Sequence, residues 1–398
     1  MTTSSASAIA SRTDSEILDI ERADLIPLYA KRDIALVRGD GAYLFDAAGN
    51  RYLDAMSNYG VAALGHAHPR FTAAMTDQLG LLTTGHQSFG SEVRAELLTE
   101  IAKIAPEGLD RSFLSNSGAE AVEAALKFAQ ATTGKQRLVA AKRGYHGRTL
   151  GALSATADKK YRDPFEPLPL PSVHVAWNSA EAIEAEIDDA TAAIILEPIQ
   201  GEGGIHVADP AYLKAVREIA TRHNVLLIVD EIQSGFRTGA PFASVAAGIV
   251  PDIVVTAKAI ANGFPIGLTL VNEAISASLP GGAHGSTFGG NPLACRAALE
   301  TLRIFREDGL YDHAATLGTD IVSRIEALKN PGIRAVRGKG LMIGIELKQK
   351  STPVLRGLQE RGVLTLPAGT TVIRLLPPMI WQAAQVDELM TALEDVLS

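Results

Sequence analysis

Apolar residues fall into two rhythms along this chain. Through the middle they form short, near-continuous runs, "TAAIIL" (191–196), "VLLIV" (225–229) and "IVVT" (253–256), alternating with stretches where they recur every three or four positions. Runs without polar alternation predict strands covered on both faces, hence a mostly parallel sheet. The segment "RSFLSNSGAEAVEAALKFAQATTG" predicts a short strand, a turn and an amphipathic helix that turns Ala121, Ala125, Leu126 and Phe128 toward that sheet. "RLVAAKRGYHG" adds a strand and loop, and "YLKAVREIATRHN" a helix. Strand-then-helix repetition of this kind predicts an α/β fold.

The chain ends have a different texture. Before residue 60, "VRGDGAYLFDAAGNRYLDAMS" alternates apolar and polar residues around "GDG" and "AAGN", a hairpin pattern. After residue 290 two helices are expected, from about Leu293 to Phe305 and from Tyr311 to Leu328, followed by short strands in "IRAVRGKGLMIGIEL" and "TVIRLLPP". Residues 1–57 and 290–398 are therefore expected to combine into one smaller α+β domain beside a large domain spanning 58–289.

Composition narrows the function classes. Over 398 residues the net charge is -8, which argues against a nucleic-acid partner. No apolar run is long enough to span a bilayer, so no membrane role is expected. A single cysteine, Cys295, excludes an internal disulfide framework. The start, "MTTSSASAIASRTDSEILDIERAD", has neither a basic n-region nor an apolar h-region. It reads as a mobile start to a cytoplasmic protein.

Candidate chemistry gathers where the central strands end. Ligands in open α/β sheets bind outside the carboxyl ends of the strands. Lys258 follows the run 253–256, and Asp230 ends the run 225–229. In "SNSGAEA", Ser117, Gly118 and Ala119 open a helix whose N–H groups and dipole suit an anion. "GYHGRT" carries an aromatic ring, Tyr145, and an arginine suited to a carboxylate, Arg148. In "HGSTFGGNP", Ser286 and Thr287 offer hydroxyls to a phosphate. A phosphate cradle, a stacking ring, a carboxylate for a ring nitrogen and a strand-end amine are together what pyridoxal 5'-phosphate requires, with Lys258 as the amine that bonds its aldehyde. No metal is expected, because His66 and His68 sit beside Gly65 and Pro69 as turn and packing residues.

"SNSGAEA", "GYHGRTLGALSAT", "ILEPIQGEGG", "LLIVDEIQSGFRTG", "PDIVVTAKAIANGFPIG", "HGSTFGGNPLA" and "VRGKGLMIGIEL" resemble, in order and wording, the class III or ornithine-type aminotransferases. Within that class the chain is most similar to the acetylornithine aminotransferases and to the lysine-biosynthetic enzymes that transaminate a carrier-bound aminoadipate semialdehyde. The resemblance implies a fold-type-I pyridoxal-phosphate enzyme working as a homodimer with shared active sites. It implies that Lys258 carries the cofactor, Asp230 pairs with its ring nitrogen, Gln233 touches its phenolic oxygen and Tyr145 stacks on its ring. Ser117, Gly118 and Ala119 then hold the phosphate, with Thr287 of the other subunit. Tyr59, Arg148 and Ser286 meet the substrate, Arg374 takes the α-carboxylate of glutamate, and Glu202 masks Arg374 when the other substrate is bound. Glu197 is expected in a supporting position.

The implied reaction moves the terminal amine of an N-acylated diamino acid, such as N-acetylornithine or carrier-linked or acetylated lysine, to 2-oxoglutarate. Ornithine, 4-aminobutyrate and putrescine are the alternative donors. An aminomutase and a non-catalytic binding protein are further alternatives on the same scaffold. Lys159 and Lys160 could serve an acidic carrier protein, or be a solvated pair.

Overall fold

The computed structural model describes residues 11–398. Seven strands form the central sheet, in the order Arg111–Ser115, Gly267–Val271, Ile253–Thr256, Leu226–Asp230, Thr191–Leu196, Arg137–Ala141, Ser172–Val175. The last five pair in parallel, while Gly267–Val271 runs antiparallel to both its neighbours. The expected mostly parallel α/β sheet is thus present.

Its strands are apolar throughout because both faces are covered. Leu227, Val229 and Val254 pack into one core cluster with Tyr212, Leu213 and Val216 of the helix Pro210–Arg222. Their chain neighbours Ile228, Ile253 and Val255 pack into the other, with Ala121, Ala125, Leu126 and Phe128 of the helix Gly118–Thr133. Alternate side chains of a strand point to opposite faces, so each run feeds two cores at once. The alanine face of Gly118–Thr133 lets that helix lie close to the sheet. Gly134 ends it in the left-handed conformation, at φ 70°.

The two chain ends meet in one of the smaller sheets. Leu36–Asp40, Tyr43–Asp46 and Arg51–Asp54 form an antiparallel meander, and the C-terminal strand Val363–Leu364 joins it in parallel beside Arg51–Asp54. Ile333–Lys339, Met342–Leu347, Val372–Leu375 and Leu366–Ala368 make a second antiparallel sheet. The long helices after residue 290 span Pro292–Glu307 and Leu310–Ala327. The first packs against the helices Pro69–Leu79 and Glu92–Ala102 and against the short turn of helix Lys258–Ala261.

The N-terminus corrects the expectation of a mobile start. Asp14–Asp24 is a helix, nucleated by a capping box in which Thr13 Oγ1 accepts from the Glu16 N–H and Glu16 Oε2 accepts from the Thr13 N–H. Two reciprocal bonds at the first turn outweigh the Ser/Thr-rich composition around them. The remainder of that stretch, residues 1–10, lies outside the described residues. Among the described residues no helix is long and apolar enough to cross a membrane.

Candidate active site

Parallel strands deliver their C-terminal ends to one edge of the sheet, and a cavity of about 640 Å³ opens there. Asp230 is the last residue of its strand, and Glu197 follows the next strand over. Lys258 follows Ile253–Thr256 with one residue between, and its backbone takes the left-handed region at φ 48°. That conformation is uncommon outside glycine and re-aims the side chain from the sheet into the cavity. Ser117, Gly118 and Ala119 line the same cavity, as do Tyr145 and Arg148 from the loop after Arg137–Ala141. Glu202, Gln233 and Tyr59 line the cavity as well.

Burial sets the chemistry of these groups. It lowers the pKa of Lys258 and the charge of Arg374 lowers it further, while Glu202, Asp230 and Glu197 partly oppose them. The amine is therefore more readily neutral than an ordinary lysine. Arg374, wholly buried, donates from Nη1 to Glu202 Oε1 at 2.6 Å and to Gln233 Oε1 at 3.0 Å. Burial alone would raise the pKa of Glu202, but the charge and hydrogen bond of Arg374 more than reverse it and hold the carboxylate ionised. Arg148 has no carboxylate partner among the described residues, and its guanidinium lies 4.2 Å from the ring centre of Tyr161.

Three expected residues are not among those lining the cavity: Arg374, which meets it through Glu202 and Gln233, Ser286, and Thr287, which is expected at the other subunit's site. Ser286 Oγ accepts from Asn116 Nδ2 at 3.0 Å and from the Gly289 N–H at 2.9 Å, and Thr287 is exposed. Glu197 braces the site through the backbone, accepting from the Tyr145 and Gly201 N–H groups at 3.0 and 3.2 Å. Burial raises its pKa. Ser117 caps its helix by accepting from the Glu120 N–H. His66 is bound to Asp54 at 2.7 Å and His68 caps the helix Pro69–Leu79, so both are structural.

His146 escaped the sequence reading. Completely enclosed, its Nδ1 sits 2.8 Å from Asp230 Oδ2. Burial pushes its pKa down, yet the bond to Asp230 and the nearby carboxylates carry it above the ordinary histidine value. Nothing local announces this pairing, since 84 residues separate the partners.

The cavity fits pyridoxal phosphate on features of its own. Gly118 and Ala119, at the start of a 16-residue helix, line the cavity, and their N–H groups make no hydrogen bond among the described residues. Unsatisfied amides at a helix N-terminus form a phosphate cradle. Asp230 Oδ1 accepts only from the Ile232 N–H at 3.0 Å, which leaves acceptor capacity for a protonated ring nitrogen. Lys258 supplies an amine without a hydrogen-bond partner among the described residues.

Comparisons with known proteins show the family. The class III aminotransferase family model matches residues 28–397. A LysW-aminoadipate semialdehyde transaminase of Deinococcus radiodurans is 44% identical over 93% of this chain and 87% of that protein. An acetylornithine aminotransferase of Methanothermobacter thermautotrophicus is 41% identical over 96% of this chain and 98% of that one. Among solved structures, an ornithine aminotransferase of Toxoplasma gondii superposes with a TM-score of 0.93 at 32% identity, covering 97% of this chain and 94% of its own. With the family model spanning nearly the whole length and the strand-end amine and carboxylate meeting in one cavity, this chain belongs to the class III aminotransferases.

Proposed function

We propose that this aminotransferase binds pyridoxal 5'-phosphate and moves the terminal amine of an N-acylated diamino acid to 2-oxoglutarate, giving a semialdehyde and glutamate. N-acetylornithine and carrier-linked or acetylated lysine are the donors, and the enzyme works as a homodimer in which Thr287 reaches the partner's site. The observation that carries this reading is the Arg374–Glu202 pair at 2.6 Å beside an uncommitted Arg148. Names of the Deinococcus and Methanothermobacter relatives support the donor class, and the Toxoplasma enzyme's active site holds pyridoxal phosphate at partial occupancy.

When bound, the cofactor supplies an aldehyde that exchanges with amines and a cationic ring that takes up electrons from the substrate carbon. Gly118 and Ala119 would hold its phosphate, Tyr145 would flank its ring, Gln233 would meet its phenolic oxygen, and Asp230, backed by His146, would hold the proton on the ring nitrogen. Lys258, its pKa lowered by burial, moves the proton from the reacting carbon.

The arginines sort two substrates. Glutamate reacts through its α-amine, so a carboxylate lies beside the reacting carbon and needs Arg374 unmasked, while its distal carboxylate reaches Arg148. A terminal amine has no neighbouring carboxylate, and an unpaired buried Arg374 would then be costly. Glu202 neutralises it, leaving Arg148 for the donor's remote carboxylate.

The test is a donor panel on the purified protein loaded with pyridoxal phosphate. N-acetylornithine, N-acetyllysine or carrier-linked lysine is expected to convert the cofactor to its amine form, and 2-oxoglutarate to restore it. Turnover confined to ornithine, 4-aminobutyrate or putrescine would reassign the donor, and turnover without a keto acid would replace transamination by a mutase. Glu202→Gln separates the half-reactions further. It keeps the shape and removes the charge, so kcat/KM for the terminal-amine donor is expected to fall about 10- to 100-fold, the worth of a charged hydrogen bond. The 2-oxoglutarate half-reaction should hold or improve, and equal loss in both would contradict the masking role.

A further inference from the structure

Three consecutive residues beside the cavity, Ser57, Asn58 and Tyr59, all have positive φ, at 39°, 50° and 62°. None is glycine, so the turn persists only if its surroundings hold it. From one side Asp54 Oδ1 accepts from the Met56 and Ser57 N–H groups at 3.0 and 2.7 Å. From the other comes Arg237, a fully buried guanidinium without a carboxylate partner among the described residues. Its Nη2 donates to the Gly60 carbonyl at 2.9 Å and lies 3.4 Å from Ser57 Oγ. Its Nη1 donates to the carbonyls of Leu341 and Pro377 at 3.0 and 3.4 Å.

Those contacts link two segments that matter to the substrate. One is the turn that carries Tyr59. The other is the chain leaving the strand that carries Arg374, which Ser57 Oγ also meets by donating to the Leu376 carbonyl at 2.5 Å. Across the space between them the Tyr59 ring centre stands 5.3 Å from the Arg374 guanidinium, within cation–π reach. A buried cation is costly, and only the fixed fork of an arginine can hold several carbonyls on divergent segments together.

We propose that Arg237 is a positioning residue for substrate selection, clamping the left-handed Ser57–Tyr59 turn so that Tyr59 covers Arg374 while the terminal-amine donor is bound. This rests on the transaminase reading of the cavity. Loosening the clamp frees Tyr59, which weakens the donor's fit and leaves Arg374 open to glutamate.

The experiment is a stopped-flow comparison of the two half-reactions in cofactor-loaded enzyme, using the active donor of the panel and glutamate. Wild type, Arg237→Lys, Tyr59→Ala and the double variant are measured. Arg237→Lys is expected to lower the ratio of kcat/KM for donor over glutamate about tenfold, and to have no further effect on that ratio once Tyr59 is alanine, as coupled residues behave. Should Arg237→Lys fail to fold, Ser57→Gly decides: glycine accepts the backbone conformation, the hydroxyl is lost, and the same split is expected at smaller size. Equal losses in both half-reactions, or an undiminished Arg237 effect in the Tyr59→Ala background, would overturn the proposal. A wild type that transaminates no amine would instead sink the functional reading beneath it.

Discussion

Lys258→Ala is expected to lower both half-reactions by about four orders of magnitude, the upper range for loss of a positioned acid-base group. The fold should survive. Lys258 makes no side-chain hydrogen bond among the described residues, and alanine removes a desolvated amine without orphaning a partner. Unchanged thermal unfolding with a collapsed rate is therefore the expected pair of results. The wild-type rate of proton transfer should rise with pH and level off below the ordinary lysine range, because burial and the charge of Arg374 lower this pKa despite Glu202, Asp230 and Glu197. Lys258→Arg, which stays charged at every working pH, is expected to be as inactive as alanine. A variant at either substitution that kept wild-type turnover would remove Lys258 from the chemistry.

Much of this site was legible because the chemistry sits at the ends of runs that periodicity identifies. The buried strands Leu226–Asp230 and Ile253–Thr256 have one reading as apolar runs, and their C-termini locate Asp230 and Lys258 without knowledge of anything else. Helix Gly118–Thr133 was equally plain, its apolar spacing and flanking Ser117 and Gly134 agreeing with one another. What stayed hidden is what depends on distant pairing. Nothing near His146 or Arg237 in the chain announces Asp230 or the Gly60 carbonyl, which come from 84 and 177 residues away. The antiparallel direction of Gly267–Val271 is hidden for the same reason, since it is set by where the connection returns rather than by composition. The helix Asp14–Asp24 was a different miss. Its capping box, Thr13 with Glu16, is a local signal that the surrounding Ser/Thr content obscured. Ser286 and Thr287 show the opposite case, hydroxyls read as phosphate donors from their Gly-rich loop, which one chain by itself does not bring to its own cavity.

Asp230→Asn is expected to lower kcat about 10²- to 10³-fold, as loss of one fixed electrostatic partner does in a water-poor site, with little change in thermal unfolding. Asparagine preserves the shape and can still accept from the Ile232 N–H and from His146 Nδ1, so the local packing has no reason to open. What it removes is charge. The carboxylate does two things at once: it faces the place where a protonated ring nitrogen belongs, and it carries the pKa of the enclosed His146 above the ordinary value against the pull of burial. Without it, burial pulls the His146 pKa down with only the charge of Glu197 opposing, so the cavity loses a carboxylate and the electrostatic support that carboxylate gave to His146. Asp230→Ala goes further, because it leaves the His146 Nδ1 and Ile232 N–H groups without their acceptor. That variant should lose rate and also unfold earlier, by about 1–3 kcal/mol for the stranded donors. Rate and stability thus part company between the two substitutions, and an Asn variant with wild-type kcat would show that the charge at the end of this strand is structural only.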